Sequence, residues 1–117
     1  MKKAIVKSIG KEAISKKEPL IILFDESATE ALENFSVIQR FEKKSENKLT
    51  AGNSILFDKQ EYKIVEVGPL ADENLLSMGH VTLVFKEVGK EDQLANALYL
   101  EPYELPTIEV GTIIQYL

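Results

Sequence analysis

The sequence predicts an all-β fold: a small closed β-barrel-like single domain with one or two short helices. Seven or eight short apolar or alternating runs recur along 117 residues, at the spacing typical of β-sandwiches and barrels. Only two short helical signatures interrupt them. Closure into a barrel suits so small a domain because it removes exposed strand edges.

The first two strands lie in the N-terminal quarter of the chain. Residues 4–9 are mainly apolar and end at Gly10, and the polar stretch 11–19 reads as a loop. Leu20–Phe24 is a continuous apolar run that begins after a proline. Because both of its faces are apolar, we expect this strand to be buried on both faces and to lie at the centre of the sheet.

A helix of about two turns is predicted to follow. Ser27 and Glu30 match the S-x-x-E capping box, in which two side chains satisfy N–H groups of the first turn. Ala31 and Leu32 would then be available to pack against the barrel.

The segment 35–41 is the next predicted strand, and it contains a polar residue on its apolar side. Alternation puts Phe35, Val37, Gln39 and Phe41 on that side. A buried amide needs hydrogen-bond partners, so a place near the end of the strand, in reach of solvent or a backbone group, would explain Gln39.

A β-hairpin is predicted farther along. Residues 54–57 and 62–67 form its strands, and the polar residues 58–61 form its turn. Gly68 and Pro69 end the second strand, since proline cannot donate to the ladder.

The stretch 65–85 contains a short predicted helix followed by a strand. Asp72 is expected to cap a helix over residues 73–76, and Gly79 suits the position just after it, where the backbone is left-handed. In the following strand, the alternating core residues are Val81, Leu83 and Phe85. His80 is then expected to face outward.

The C-terminal part is predicted to contain two more strands. Residues 89–96 are polar and are expected to be flexible, and 98–100 form a short strand. Pro102 and Pro106 bracket a loop before the last strand, 112–116.

Composition excludes several classes of function. The net charge of −5 and the lack of a basic cluster argue against a nucleic-acid partner, and Lys43-Lys44, which lies among acids, reads as a solvated turn. With no cysteine and one histidine, the chain has no thiol nucleophile, thiolate metal site or His-rich zinc site. Lys7 interrupts the apolar start, and no stretch approaches a membrane span. We therefore expect a cytoplasmic protein without membrane insertion.

Two adjoining motifs resemble a known family. V-G-P-L-A-D-E-N-L at 67–75 matches V-G-x-x-A-x-x-N-L, and M-G-H-V-T-L-V-F at 78–85 matches x-G-H-V-T-L-x-F. Both patterns are similar to the glucitol/sorbitol-specific enzyme IIA family of the bacterial phosphotransferase system. The similarity covers nearly the whole chain, including residues 22–25 and 111–116. The resemblance implies a β-barrel-like fold and a single enzyme IIA-like domain over residues 1–117.

The resemblance also implies a function in phosphoryl transfer during sugar uptake. Enzyme IIA proteins accept a phosphoryl group from the histidine phosphocarrier protein HPr onto a histidine and pass it to enzyme IIB, which works with the membrane permease enzyme IIC. A neutral imidazole nitrogen is nucleophilic near neutral pH, which suits it to this role. No metal or organic cofactor is implied.

The sequence departs from the family pattern at the acceptor. The position resembling the family's phosphorylated histidine holds Gln39, whose amide nitrogen is not nucleophilic. Three interpretations follow. In the first, His80, the single imidazole, is a relocated acceptor, although as part of the general family pattern it suits a structural or hydrogen-bonding role. In the second, the chain is a regulatory or binding paralogue that kept the docking surface without the transfer. In the third, Gln39 is an introduced substitution that mimics or blocks phosphorylation.

Arg40 is the remaining candidate site residue. It is the single arginine of the sequence and adjoins Gln39. A guanidinium there could bind a phosphoryl oxygen of a partner, and an ordinary surface arginine is the alternative.

Overall fold

The protein is described here by a computed structural model that covers residues 2–15, 17–42, 48–89 and 93–117. The predicted turn at Lys43-Lys44, and part of the segment 89–96 predicted to be flexible, lie outside these residues. Within them, eight strands and two helices follow one another. They are β1 (Lys2–Ile9), β2 (Leu20–Phe24), α1 (Glu30–Asn34), β3 (Val37–Phe41), β4 (Ser54–Phe57), β5 (Gln60–Val67), α2 (Ala71–Met78), β6 (Val81–Val84), β7 (Ala97–Glu101) and β8 (Ile113–Tyr116).

The strands close into a barrel, as the sequence predicts. Their order around it is β1-β3-β2-β6-β7-β5-β4-β8, and β8 pairs back onto β1. Two neighbouring pairs are parallel, β2 with β3 and β6 with β7, and the other pairs are antiparallel. Parallel neighbours need a crossover connection. The chain therefore leaves the end of β2 through α1, and a second crossover follows β6 and leads to β7.

The core fills the inside of the barrel. Its largest fully buried side chains include Ile21, Leu23, Phe57 and Phe85. The expectation that β2 is buried on both faces is wrong, because Leu20, Ile22 and Phe24 remain half-buried. A barrel has one inner and one outer face, and the outer face of β2 is only partly covered.

The first helix differs from its prediction. Thr29 is its N-cap, with Oγ1 accepting from the backbone N–H of Leu32 at 3.4 Å. Ser27 instead donates its backbone N–H and its hydroxyl to Oδ1 of Asp25, at 2.9 and 2.5 Å. The predicted capping box is therefore wrong, because Ser27 bonds to Asp25 and not to the first turn of the helix. No residue of α1 is buried, so the predicted packing of Ala31 and Leu32 is also wrong.

The second helix is longer than predicted and is capped differently. It begins at Ala71, and Leu70 occupies the N-cap position without a side-chain bond. Asp72 lies inside the helix, and its Oδ1 accepts from the backbone N–H of Leu49 at 2.7 Å. The carboxylate thus ties down the segment before β4 instead of capping its own helix. Gly79 ends the helix in the left-handed conformation, with φ of 58°, which confirms its prediction.

The remaining strand predictions are largely confirmed. The hairpin of β4 and β5 forms, with a turn shortened to Asp58 and Lys59 because β5 begins at Gln60. The strand predicted at 35–41 begins only at Val37, and Phe35 precedes it with half of its surface exposed (50%). No helix in the described part of the chain is long and apolar enough to cross a membrane.

Candidate functional site

Gln39 and His80 come close to each other at the end of the barrel where β2 stops and β6 starts, because Gln39 bonds to Gly79, the residue before His80. The turn after α2 and the loop after β2 are joined there, since the backbone N–H of Asp25 donates to the carbonyl of Met78 at 3.0 Å. The contact at Gly79 is so close that an added Cβ would lie 2.7 Å from Cβ of Asp25. This close approach, together with the positive φ, is what requires glycine before His80.

Gln39 is completely buried, with 0% of its surface exposed. Its Nε2 donates to the carbonyl of Gly79 at 2.9 Å, and its Oε1 accepts from the hydroxyl of Tyr116 at 2.6 Å. The sequence predicted that Gln39 bonds to solvent or to a backbone group. The backbone partner is confirmed, and the solvent partner is wrong. Gln39 is also the middle residue of β3 rather than close to the strand's end. Both ends of the amide are therefore satisfied inside the protein.

The hydroxyl that meets Gln39 is kept neutral by its surroundings. Burial raises the pKa of Tyr116 well above its usual range. Tyr116 therefore stays a donor at every physiological pH. The chain of groups from Tyr116 through Gln39 to the Gly79 carbonyl is a fixed, uncharged network.

His80 lies next to this network and uses both ring nitrogens. Its Nδ1 is 3.1 Å from the carbonyl oxygen of Leu23, and its Nε2 is 2.7 Å from Nδ2 of Asn96. A carbonyl only accepts, so Nδ1 carries the ring proton and Nε2 presents its lone pair to the Asn96 amide. The ring also stacks on Phe24, with centroids 3.9 Å apart and an interplanar angle of 17°. The histidine is half-buried on the outer face of the barrel.

Asn96 is a site residue that sequence reasoning missed. It lies in the polar stretch before β7, where nothing in the local pattern distinguishes it. The signal that would have found it is the parallel pairing of β6 and β7, in which Thr82 lies beside Ala97. Residues that precede two such paired strands come together at one end of the sheet, and here they are His80 and Asn96.

Arg40 lies beside Gln39 in β3 but faces solvent. Its Nε and Nη2 donate to the two carboxylate oxygens of Glu26 at 2.5 and 2.8 Å. The pair borders a cleft of about 260 Å³, whose lining includes Asp25, Glu26, Ser27, Arg40 and Phe41. An incoming anion would have to displace Glu26 from Arg40, and binding by Arg40 stays a prediction.

The pH dependence of this ion pair can be predicted. The hydrogen bond from Arg40 holds the pKa of the Glu26 carboxyl below its usual range. A depressed carboxyl pKa contributes stability that is present above the unfolded-state pKa and is lost as the pH falls through the folded-state pKa. We therefore expect a carboxyl NMR titration of Glu26 to move to higher pH in Arg40→Gln. An identical titration in both proteins would contradict the pairing.

The described residues contain no group of three or more His, Asp or Glu side chains placed to hold a metal ion. Every buried side-chain nitrogen or oxygen in the same part of the chain has a hydrogen-bond partner. Among the groups that meet here, the imidazole of His80 is the one with a nucleophilic nitrogen.

Comparisons with known proteins agree with this fold. The family model described as the glucitol/sorbitol-specific IIA component of the PTS system, the phosphotransferase system, matches residues 1–115. A crystal structure of the PTS system IIA component from Enterococcus faecalis V583 is similar, with 41% sequence identity, coverage of 98% of each chain and a TM-score of 0.94. None of the curated proteins compared with the chain matches it.

Proposed function

We propose, since this chain belongs to the glucitol/sorbitol-specific IIA component family of the phosphotransferase system, that it is a cytoplasmic phosphocarrier. It takes a phosphoryl group from HPr and passes it to the enzyme IIB that serves the cognate permease. The acceptor that we propose is Nε2 of His80, because His80 is the single histidine of the sequence and the resemblance implies that Gln39 stands at the family's acceptor position.

The observation that carries this assignment is the hydrogen bond between His80 and Leu23. Because the carbonyl oxygen at 3.1 Å accepts a hydrogen bond from Nδ1–H, the neutral ring keeps its lone pair on Nε2. A fixed tautomer of this kind orients the ring and strengthens the other nitrogen as a base and nucleophile. Stacking on Phe24 restricts the ring further.

The transfer is a simple displacement at phosphorus. The lone pair of Nε2 forms the new N–P bond as the N–P bond of phosphorylated HPr breaks, and that electron pair returns to the HPr imidazole. The proton on Nδ1 stays in its bond to Leu23, where the carbonyl stabilises the positive charge that the ring acquires. In the second step, a cysteine thiolate of enzyme IIB attacks phosphorus, and the electron pair returns to Nε2. We assign to Arg40 the binding of a phosphoryl oxygen of the partner, in exchange for Glu26.

A second candidate function is a docking or regulatory protein that carries no phosphate. Two observations favour it. Gln39, which the resemblance aligns with the usual acceptor, is fully buried with both ends of its amide bonded, as a structural residue would be. The Nε2 atom of His80 is covered at rest by Asn96, at 2.7 Å. In this candidate the chain binds the same partners and competes with phosphorylated enzyme IIA proteins for them.

Intact-protein mass after incubation with phosphoenolpyruvate, enzyme I and HPr tests the two candidates. We expect one phosphoryl group on the parent protein and none on His80→Ala, followed by loss of the label when enzyme IIB is added. A label that survives in His80→Ala would refute His80 as the acceptor.

The variant Gln39→His separates the candidates if the parent stays unlabelled. An imidazole at position 39 could donate to Gly79 and accept from Tyr116, so we expect this variant to fold. Labelling of Gln39→His without labelling of the parent would establish the docking protein, with its partner surface intact and its nucleophile lost.

A further inference from the structure

We propose that Asn96 completes the phosphoryl-transfer site: its side-chain amide keeps Nε2 of His80 unprotonated at rest and donates to a phosphoryl oxygen during transfer. This inference rests on the function proposed above. It starts from the 2.7 Å contact between Nδ2 of Asn96 and Nε2 of His80.

The backbone of Asn96 is held from two sides. Its carbonyl accepts from the backbone N–H of Thr82 at 3.1 Å, and the carbonyl of Ala95 accepts from Leu70 at 2.7 Å. Gly68 packs directly against Ala95, since an added Cβ on Gly68 would lie 2.4 Å from the Ala95 carbonyl oxygen. The backbone of Asn96 is therefore fixed, and its side-chain amide can move only by rotation about the side-chain torsions.

The amide is chemically suited to the resting state. An amide N–H donates without giving up its proton, so it pairs with the lone pair of Nε2 and leaves the nitrogen basic. The Leu23 carbonyl and the Asn96 amide thus favour the same tautomer from opposite edges of the ring. A carboxylate of the same shape would remove this preference, because it can only accept and would favour a second ring proton on Nε2 beside the one on Nδ1.

During transfer the same donor is in place for the phosphoryl group. The amide lies along the lone pair of Nε2, so it turns aside as phosphorus approaches. Since its backbone does not move, its N–H groups stay within reach of the oxygens on that phosphorus. Donors aimed at the oxygens of a reacting phosphoryl group stabilise the charge that they carry in the transition state.

The test compares Asn96→Asp, which keeps the shape but removes the donor, with Asn96→Ser, which keeps a hydroxyl donor. Asn53→Ala is the control, since Asn53 is exposed and precedes β4. Nitrogen NMR of the imidazole reports which ring nitrogen is protonated. Labelling of His80 by phosphoramidate, a small phosphoryl donor, and by phosphorylated HPr reports its reactivity.

We expect the parent and Asn53→Ala to show a proton on Nδ1 alone and equal labelling rates. Asn96→Asp should gain a proton on Nε2 and lose at least about 100-fold in rate with both donors, and Asn96→Ser should recover to within about 10-fold of the parent. Asn96→Asp with the parent's tautomer and rate would overturn the inference.

The two donors separate this inference from the proposed function. Labelling of the parent by phosphoramidate but not by HPr would remove the phosphocarrier function and leave the role of Asn96 standing. If HPr labels the parent and Asn96→Asp at the same rate, the phosphocarrier function stands and the role of Asn96 is refuted. A parent that neither donor labels would overturn both.

Discussion

Replacing Gln39 by methionine is expected to lower the free energy of unfolding by about 2–4 kcal/mol. Methionine has nearly the same shape, so the loss comes from the hydrogen bonds. The substitution leaves the carbonyl of Gly79 and the hydroxyl of Tyr116 without the partners that they now have at 2.9 and 2.6 Å. Each stranded buried group contributes about 1–3 kcal/mol to the loss.

Urea unfolding of the parent and Gln39→Met measures this effect, and Gln115→Met is the matched control, because Gln115 lies on β8 and is only half-buried. Adding Tyr116→Phe to Gln39→Met removes one of the two stranded groups and should recover part of the loss. A change below about 0.5 kcal/mol in Gln39→Met, the size typical of surface substitutions, would contradict the network.

Replacing Gly10 by alanine is expected to destabilise the protein by at least about 3 kcal/mol, beyond the usual range for overpacking. An added Cβ would lie 2.1 Å from the carbonyl oxygen of Glu33 and 2.4 Å from that of Asn34. Both atoms belong to backbone that cannot rotate away, because Gly10 and Glu12 donate to the carbonyls of Ser36 and Asn34, each at 2.9 Å. To accommodate the added methyl group, the end of β1 must therefore move away from the end of α1.

Thermal unfolding of Gly10→Ala beside Gly89→Ala checks this prediction. Gly89 has no described atom within 4 Å of an added Cβ, so its replacement should leave stability unchanged or raise it by up to about 1 kcal/mol. Equal melting temperatures for the two variants would show that the close approach at Gly10 can relax.

Local patterns in the sequence were sufficient to predict most of the strands and the class of fold. The alternation that places Val81, Leu83 and Phe85 in the core is confirmed, as are the hairpin of β4 and β5 and the left-handed Gly79. These features depend on residues within a few positions of one another. Alternation distinguished Gln39 as a polar residue on an apolar side, and the resemblance to a family added the prediction that it stands at the acceptor position.

Competition between nearby polar groups explains the wrong helix caps. Ser27 and Asp72 both have the right residue type and spacing for capping. Ser27 instead donates to the carboxylate of Asp25, and the carboxylate of Asp72 accepts from the backbone N–H of Leu49, 23 residues away. A capping pattern indicates which groups a side chain can bind, but in the folded protein each of these two side chains bonds to another partner.

The sequence alone thus determined the class of fold and the inward and outward alternation along most strands, and it predicted two candidate site residues, Gln39 and His80. Their hydrogen-bond partners were settled only by folding. Gln39 meets Tyr116 across 77 residues, and His80 meets Leu23 across 57 and Asn96 across 16. Such contacts arise from barrel closure and from the parallel pairing of β6 with β7, and these long-range pairings leave no periodic trace in the residues that they join.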